Sequence, residues 1–222
     1  MKLIKDLSIG ILLAFCFLVA TADVGRAEQI PAQGIDLFNG KDFTGWTFYM
    51  RSNAAPAATW SVTNGVIRCT GQPFGYARTE KSYSNYRLTV EWRFVKVAPH
   101  ADNSGIFVHI QLPDQVWPKC IECQGQYQGQ GDFWLQLGVT ASNVPGDGSK
   151  PTHVAMAVPP NEKPVGQWNT YEIVASGKSL EVFVNGKSMN RLTGCNVSSG
   201  FIGIQSEGGD IEVRKVFLQP LK

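Results

Sequence analysis

Eight short runs rich in β-branched and aromatic residues, at 60–69, 86–94, 105–111, 121–124, 170–175, 180–184, 201–205 and 211–218, are separated mostly by Gly, Asn or Asp. Alternation within the runs fits strands with one buried face, and breaks at this spacing fit a sandwich. Two of the breaks are Asn64-Gly65 and Asn185-Gly186, where both residues tolerate positive φ and can close a two-residue hairpin. No segment after residue 27 sustains an apolar period of 3.6 residues, so no helix of more than about three turns is expected. The 23 Gly, 12 Pro and 11% aromatic residues, against 4 Met, point the same way. An all-β chain of 222 residues is commonly one domain. Residues 125–164, rich in Gly, Gln and Pro, read as a long excursion across one face, and loops of that length usually carry function.

Apolar residues make up 43% of the chain and charged residues 17%, with a formal net charge of +2. That balance is too hydrophobic for disorder and too neutral for gripping a phosphate backbone, so nucleic acid is not an expected partner. Lys2 and Lys5 precede an apolar run over 7–20 that is short for a bilayer span, and small residues follow at Ala20-Thr21-Ala22 and Gly25-Arg26-Ala27. This order predicts a cleaved secretory signal over 1–27, a mature domain over 28–222 without a membrane span, and a periplasmic or secreted protein. The bulky Phe15 beside Cys16 argues against lipid attachment there. In an oxidising compartment Cys69, Cys120, Cys123 and Cys195 would allow two disulfides in three connectivities. Cys120 and Cys123, three apart in a strand, point to opposite faces and would bridge only under strain, while Cys69 and Cys195 are freer; the pairing stays open. One C-x-x-C without a second does not make a zinc ribbon.

Alternation then sorts the side chains. Leu88, Val90, Trp92 and Phe94 share one face, opposite Thr89, Glu91 and Arg93. Ile106, Val108 and Ile110 leave Phe107, His109 and Gln111 on the other side, Ile121 and Cys123 oppose Glu122 and Gln124, and Gly203, Gln205 and Glu207 oppose Ile202, Ile204 and Ser206. If these strands adjoin, a polar and concave sheet face gathers His109, Glu122, Gln124, Gln205 and Glu207, with Asn103 near them and Trp117 or Trp134 as a stacking wall. A single Glu on such a face is ordinarily a solvated residue, His109 alone is more often a hydrogen-bonded structural histidine, and Arg78, Glu80, Lys119 and Asp132 alone read as surface charges. Carboxylates, amides and large aromatics together are what sugars need, so carbohydrate is the expected ligand.

The ordered motifs Asp36-Leu37-Phe38-Asn39-Gly40-Lys41 with Gly45-Trp46, Asn103-Ser104-Gly105-Ile106, Trp117-Pro118-Lys119-Cys120-Ile121-Glu122-Cys123-Gln124, Gly131-Asp132-Phe133-Trp134, the stretch Glu162 to Asn169 and Gly203-Ile204-Gln205-Ser206-Glu207-Gly208 resemble the 3-keto-disaccharide hydrolase domain family over about residues 34 to 221. The resemblance implies a jelly roll similar to concanavalin-like glucanases and lectins, and hydrolysis or elimination of glycosides oxidised to a ketone at C3, a hydrolase or a lyase. His109 stands where an Arg often ends the Asn-Ser-Gly-Ile strand of that family. A C3 ketone acidifies the C2 proton, so a base can remove it and the C1 substituent can leave by β-elimination. Such chemistry needs a base, an electrophile for the enolate oxygen and an acid for the leaving group, and Glu122, His109 and Lys119 supply those types. A divalent metal held by His109 and Glu122 is one candidate electrophile. A non-catalytic carbohydrate-binding jelly roll using Asn103, Trp117, Gln124, Trp134, Gln205 and Glu207 is the alternative.

Overall fold

In the computed structural model of the protein, residues 27–96 and 103–221 are described. The predicted signal segment lies outside them but for its last residue. In chain order the strands are β1 (Ile35–Asp36), β2 (Trp46–Met50), β3 (Trp60–Thr63), β4 (Val66–Cys69), β5 (Gly75–Thr79), β6 (Tyr86–Phe94), β7 (Gly105–Gln111) and β8 (Lys119–Gln124). They continue as β9 (Phe133–Leu135), β10 (Thr152–Val154), β11 (Asn169–Ser176), β12 (Ser179–Val184), β13 (Lys187–Leu192), β14 (Phe201–Ser206) and β15 (Ile211–Pro220). Helical structure among the described residues is confined to two single 3₁₀ turns, Arg51–Asn53 and Pro56–Ala58. One antiparallel sheet runs β13-β12-β11-β6-β15-β4-β3, with β1 also on β15; the other runs β10-β9-β8-β7-β14-β5-β2. The architecture is the expected β-sandwich.

Both Asn-Gly pairs close their hairpins with positive φ at each residue, joining β3 to β4 and β12 to β13. From β6, Tyr86, Leu88, Val90, Trp92 and Phe94 are buried against Ile106, Val108, Ile121, Cys123 and Ile204 of the facing sheet. Each large side chain so buried contributes about 1.5–3 kcal/mol. Trp92 meets Tyr171 edge-on, and the Tyr171 hydroxyl donates to the Gln124 carbonyl at 2.6 Å. That bond ties the core of one sheet to the strand that carries Glu122. All four described cysteines are buried thiols without a disulfide, and Cys120 and Cys123 do face opposite sides of β8.

Strand β7 departs from the expected alternation. Val108 pairs with Ile121 and Gln111 with Lys119, so two residues of β7 oppose one of β8, and a matching shift occurs against β14. The extra residue is a bulge, with His109 at φ 55°. Gly200 lies against it so closely that a Cβ there would come within 2.5 Å of the His109 carbonyl carbon. Past the bulge, Ile110 joins Phe107 on the outer side, while the His109 ring packs edge-on against Tyr86 in the core. His109 therefore does not share a face with Glu122, contrary to the sequence expectation. The excursion over 125–164 is also partly structured, since β9 and β10 extend the second sheet.

Candidate active site

The register of the second sheet sets Gly203, Phe107, Glu122, Trp134 and His153 in one row across β14, β7, β8, β9 and β10. In the adjacent row Gly105 pairs with Gln124, and Gln205 pairs with Tyr76. Gly105, lacking a side chain, leaves room for the Glu122 and Gln205 side chains to meet above it, whereas Ile110 covers Gly203. Over this face lies a cleft of about 710 Å³, within the range of small-molecule sites. Asn103, Trp117, Glu122, Gln124, Trp134 and Glu207 all line it, and Gln205 sits beneath them, bonded to Glu207.

Glu122 is 2% exposed. Gln136 Nε2 donates to its Oε2 at 3.0 Å, and Oε1 is buried without a partner among the described residues. Burial pushes the carboxyl up to about 8 from its ordinary 4.5; the hydrogen bond from Gln136 and the nearby Gln205 amide oppose the rise, and the negative charge of Glu207 adds to it. Glu207 itself accepts from Trp117 Nε1 at 3.0 Å, Asn103 Nδ2 at 2.8 Å and Gln205 Nε2 at 2.6 Å. Burial raises its carboxyl too, against the hydrogen bonds from Trp117 and Gln205. Gln124 Oε1 accepts the backbone N–H groups of Gly125 and Gln126, which fixes its amide with Nε2 left to donate.

Two aromatic walls flank this floor. Trp117 sits on the segment 112–118, where Asp114 takes a two-pronged bond from Arg78, 2.8 Å at each oxygen, and a third from the Tyr76 hydroxyl at 2.7 Å. Burial opposes the ionised Asp114, but these bonds and the Arg78 charge hold its carboxyl below its ordinary value. On the other side Trp134 stands with Leu137 and Pro151, its ring stacked on His153 with centroids 4.8 Å apart. His153 Nε2 lies 2.6 Å from Asp132 Oδ2, and Asp132 Oδ1 accepts the Met156 N–H at 2.7 Å.

Seven of the predicted residues are thus brought together: Asn103, Trp117, Glu122, Gln124, Trp134, Gln205 and Glu207. His109 and Lys119 are not. His109 is held in the core, where burial drives its imidazole down to about 4 and keeps it neutral. Lys119 falls on the side of β8 shared by Ile121 and Cys123, opposite Glu122, and does not line the cleft. A metal held jointly by His109 and Glu122 does not fit, because the two side chains leave the sheet on opposite faces. Gln136 was missed, although it follows Trp134 by two residues and so shares its face. His153 carried no signal of its own, being distant in sequence from the residues it meets.

A family model described as the 3-keto-alpha-glucoside-1,2-lyase-like domain matches residues 33–219. The chain belongs to that family. A curated relative from Bacteroides thetaiotaomicron, named 3-keto-disaccharide hydrolase, is 26% identical over 165 residues, covering 66% of this chain and 54% of its own length. The chain therefore spans about half the length of that relative. Among solved structures, a Parabacteroides distasonis protein provisionally designated a glycosyl hydrolase has a TM-score of 0.62 at 21% identity, covering 84% of this chain and 93% of its own. The carbohydrate-binding module CBM66 from Bacillus subtilis has a TM-score of 0.56 at 11% identity over 78% of this chain and 93% of its own. At these identities the two structures establish the family's jelly-roll fold and nothing finer.

Proposed function

We propose that the protein is an exported enzyme that cleaves 3-keto-glycosides, with Glu122 as the group that moves the C2 proton. The observation that carries this reading is the Glu122 carboxyl at the cleft floor: one oxygen is held by Gln136, the other is unpaired, and its proton affinity is raised to about 8. Such a carboxylate is a stronger base than an ordinary glutamate, which suits removal of a proton next to a ketone. A conventional glycosidase needs two carboxylates flanking the bond. Elimination needs one base and hydrogen-bond donors for the enolate oxygen, and Gln124 Nε2 and Gln136 Nε2 are the donors this floor offers. The named relative supports the substrate class, and the tryptophan walls support a sugar ring between them.

Turnover of a 3-keto-glucoside by the wild type and by Glu122→Gln tests the reading. The variant is expected to lose about 10²- to 10⁴-fold in kcat with KM within a few-fold. The second reading, a binding module, draws on the same walls and on the fold shared with CBM66. Glycoside binding by calorimetry without turnover by the wild type would establish it and remove the first.

A further inference from the structure

Glu122 Oε1 and Gln205 Oε1 are both buried acceptors with no donor among the described residues. The orientation of the Gln205 amide is fixed from its other end. Its Nε2 donates to Glu207 Oε2 at 2.6 Å, and turning the amide over would set its carbonyl oxygen against that carboxylate. Glu207 is held in turn by Asn103 and Trp117. Gln205 Oε1 therefore faces away from Glu207. A Cβ built on Gly105 would lie 3.0 Å from Glu122 Oε1 and 3.2 Å from Gln205 Oε1, so the two oxygens share the space above that glycine. Two buried acceptors in one small space repel unless a donor joins them, and one proton on the carboxyl supplies it.

We propose that Gln205 is a positioning residue for proton transfer: neutral Glu122 keeps its hydrogen on Oε1 and donates it to Gln205 Oε1, while Glu207 fixes the amide that receives it. The inference rests on Glu122 as the proton-transfer group and adds where its proton waits. Among the described residues the cleft lining contains no Lys, Arg or His to hold Glu122 ionised. Among the described residues the titratable groups on its side of the sheet are Glu207 and the buried Cys120 thiol, with the Cys123 thiol close by on the core side of β8, and none of them is a cation. In an elimination, Glu122 first releases its resting proton to solvent; the ionised carboxylate then takes the proton from C2, and the C–H electron pair becomes the C1–C2 double bond. The C1–O pair leaves with the alcohol oxygen, which receives the proton back from the carboxyl. Between the two transfers the proton stays on Glu122 Oε1, hydrogen-bonded to Gln205 Oε1 and shielded from water.

Infrared spectroscopy of the substrate-free protein tests this without turnover. At pH 6 a carboxylic-acid C=O band that vanishes in Glu122→Gln is expected, and in Gln205→Leu it moves to higher frequency as the acid loses its acceptor. In Glu207→Gln, which removes the charge and frees the amide to turn its N–H₂ to the carboxylate, the midpoint of that band's titration falls by about one pH unit or more. Absence of the acid band at pH 6, an unmoved band in Gln205→Leu, or an unchanged midpoint in Glu207→Gln overturns the proposal. An absent band with full turnover defeats only this inference, whereas the predicted spectra without turnover defeat the enzymatic reading instead.

Discussion

Glutamine at position 122 is close in shape to the neutral acid and can donate to Gln205 Oε1 as the acid does, so Glu122→Gln removes a titration while keeping the packing. In the folded protein the carboxyl titrates at about 8 and in the unfolded chain near its ordinary 4.5. Between these values the unfolded chain has released the proton and the folded one retains it, so stability falls as pH rises. The stabilisation is fully present below pH 4.5 and is lost by the time pH passes 8. At about 1.4 kcal/mol per pH unit the loss amounts to roughly 5 kcal/mol, or about 10–20 °C in Tm for a chain of this size. Comparing the variant with the wild type cancels other groups, including Glu162, which burial pushes up to about 7. Melting curves of both proteins from pH 4.5 to 9 should therefore diverge, with Glu122→Gln near the wild type at the acid end and well above it at the alkaline end. Parallel curves would show that Glu122 is an ordinary carboxylate, and the case for it as a tuned base would fall.

Gly105→Ala should lower stability by about 1–3 kcal/mol and lose about 100-fold in turnover, since the new methyl meets Glu122 Oε1 at 3.0 Å and displaces it; full activity in the folded variant would show that the carboxyl does not occupy this space in catalysis. Asp114→Ala should cost about 2–3 kcal/mol by stranding the largely buried Arg78, and should raise KM by releasing the segment that carries Trp117; denaturant titration and steady-state kinetics read the two effects separately. His109→Asn, which tolerates positive φ but loses the ring contact with Tyr86, should lower stability by about 1–3 kcal/mol with kcat within a few-fold of the wild type. A collapse of kcat in a folded His109→Asn protein would return the imidazole to the mechanism.

What the sequence made legible is the part set by local alternation. Glu122 and Gln124 could be placed because Ile121 and Cys123 must face the core, and Gln205 because Ile202 and Ile204 must. Strand β5 was missed because Gly75, Tyr76 and Ala77 are buried alike on both faces, leaving no polar side to alternate against. Strands β9 and β10 are three residues each, too short to show a period. The error at His109 has a non-local origin: the bulge is accommodated by Gly200, some ninety residues away, whose missing Cβ admits the displaced backbone. The Trp134–His153–Asp132 stack is likewise a meeting of segments that only the register of β8, β9 and β10 brings together.

The bulge in β7 also marks a route for redesign. Residues before it keep the cleft register, and residues after it are reset by one, so the strand behaves as two independently phased halves. Deleting Ile110 would restore regular alternation through this stretch and turn His109 from the core toward the cleft, across from Cys120 and diagonal to Glu122. A single-residue change of length at this point alters which functional groups the scaffold displays while leaving the sheet order intact, so a new imidazole–carboxylate pair is one codon away from the present protein.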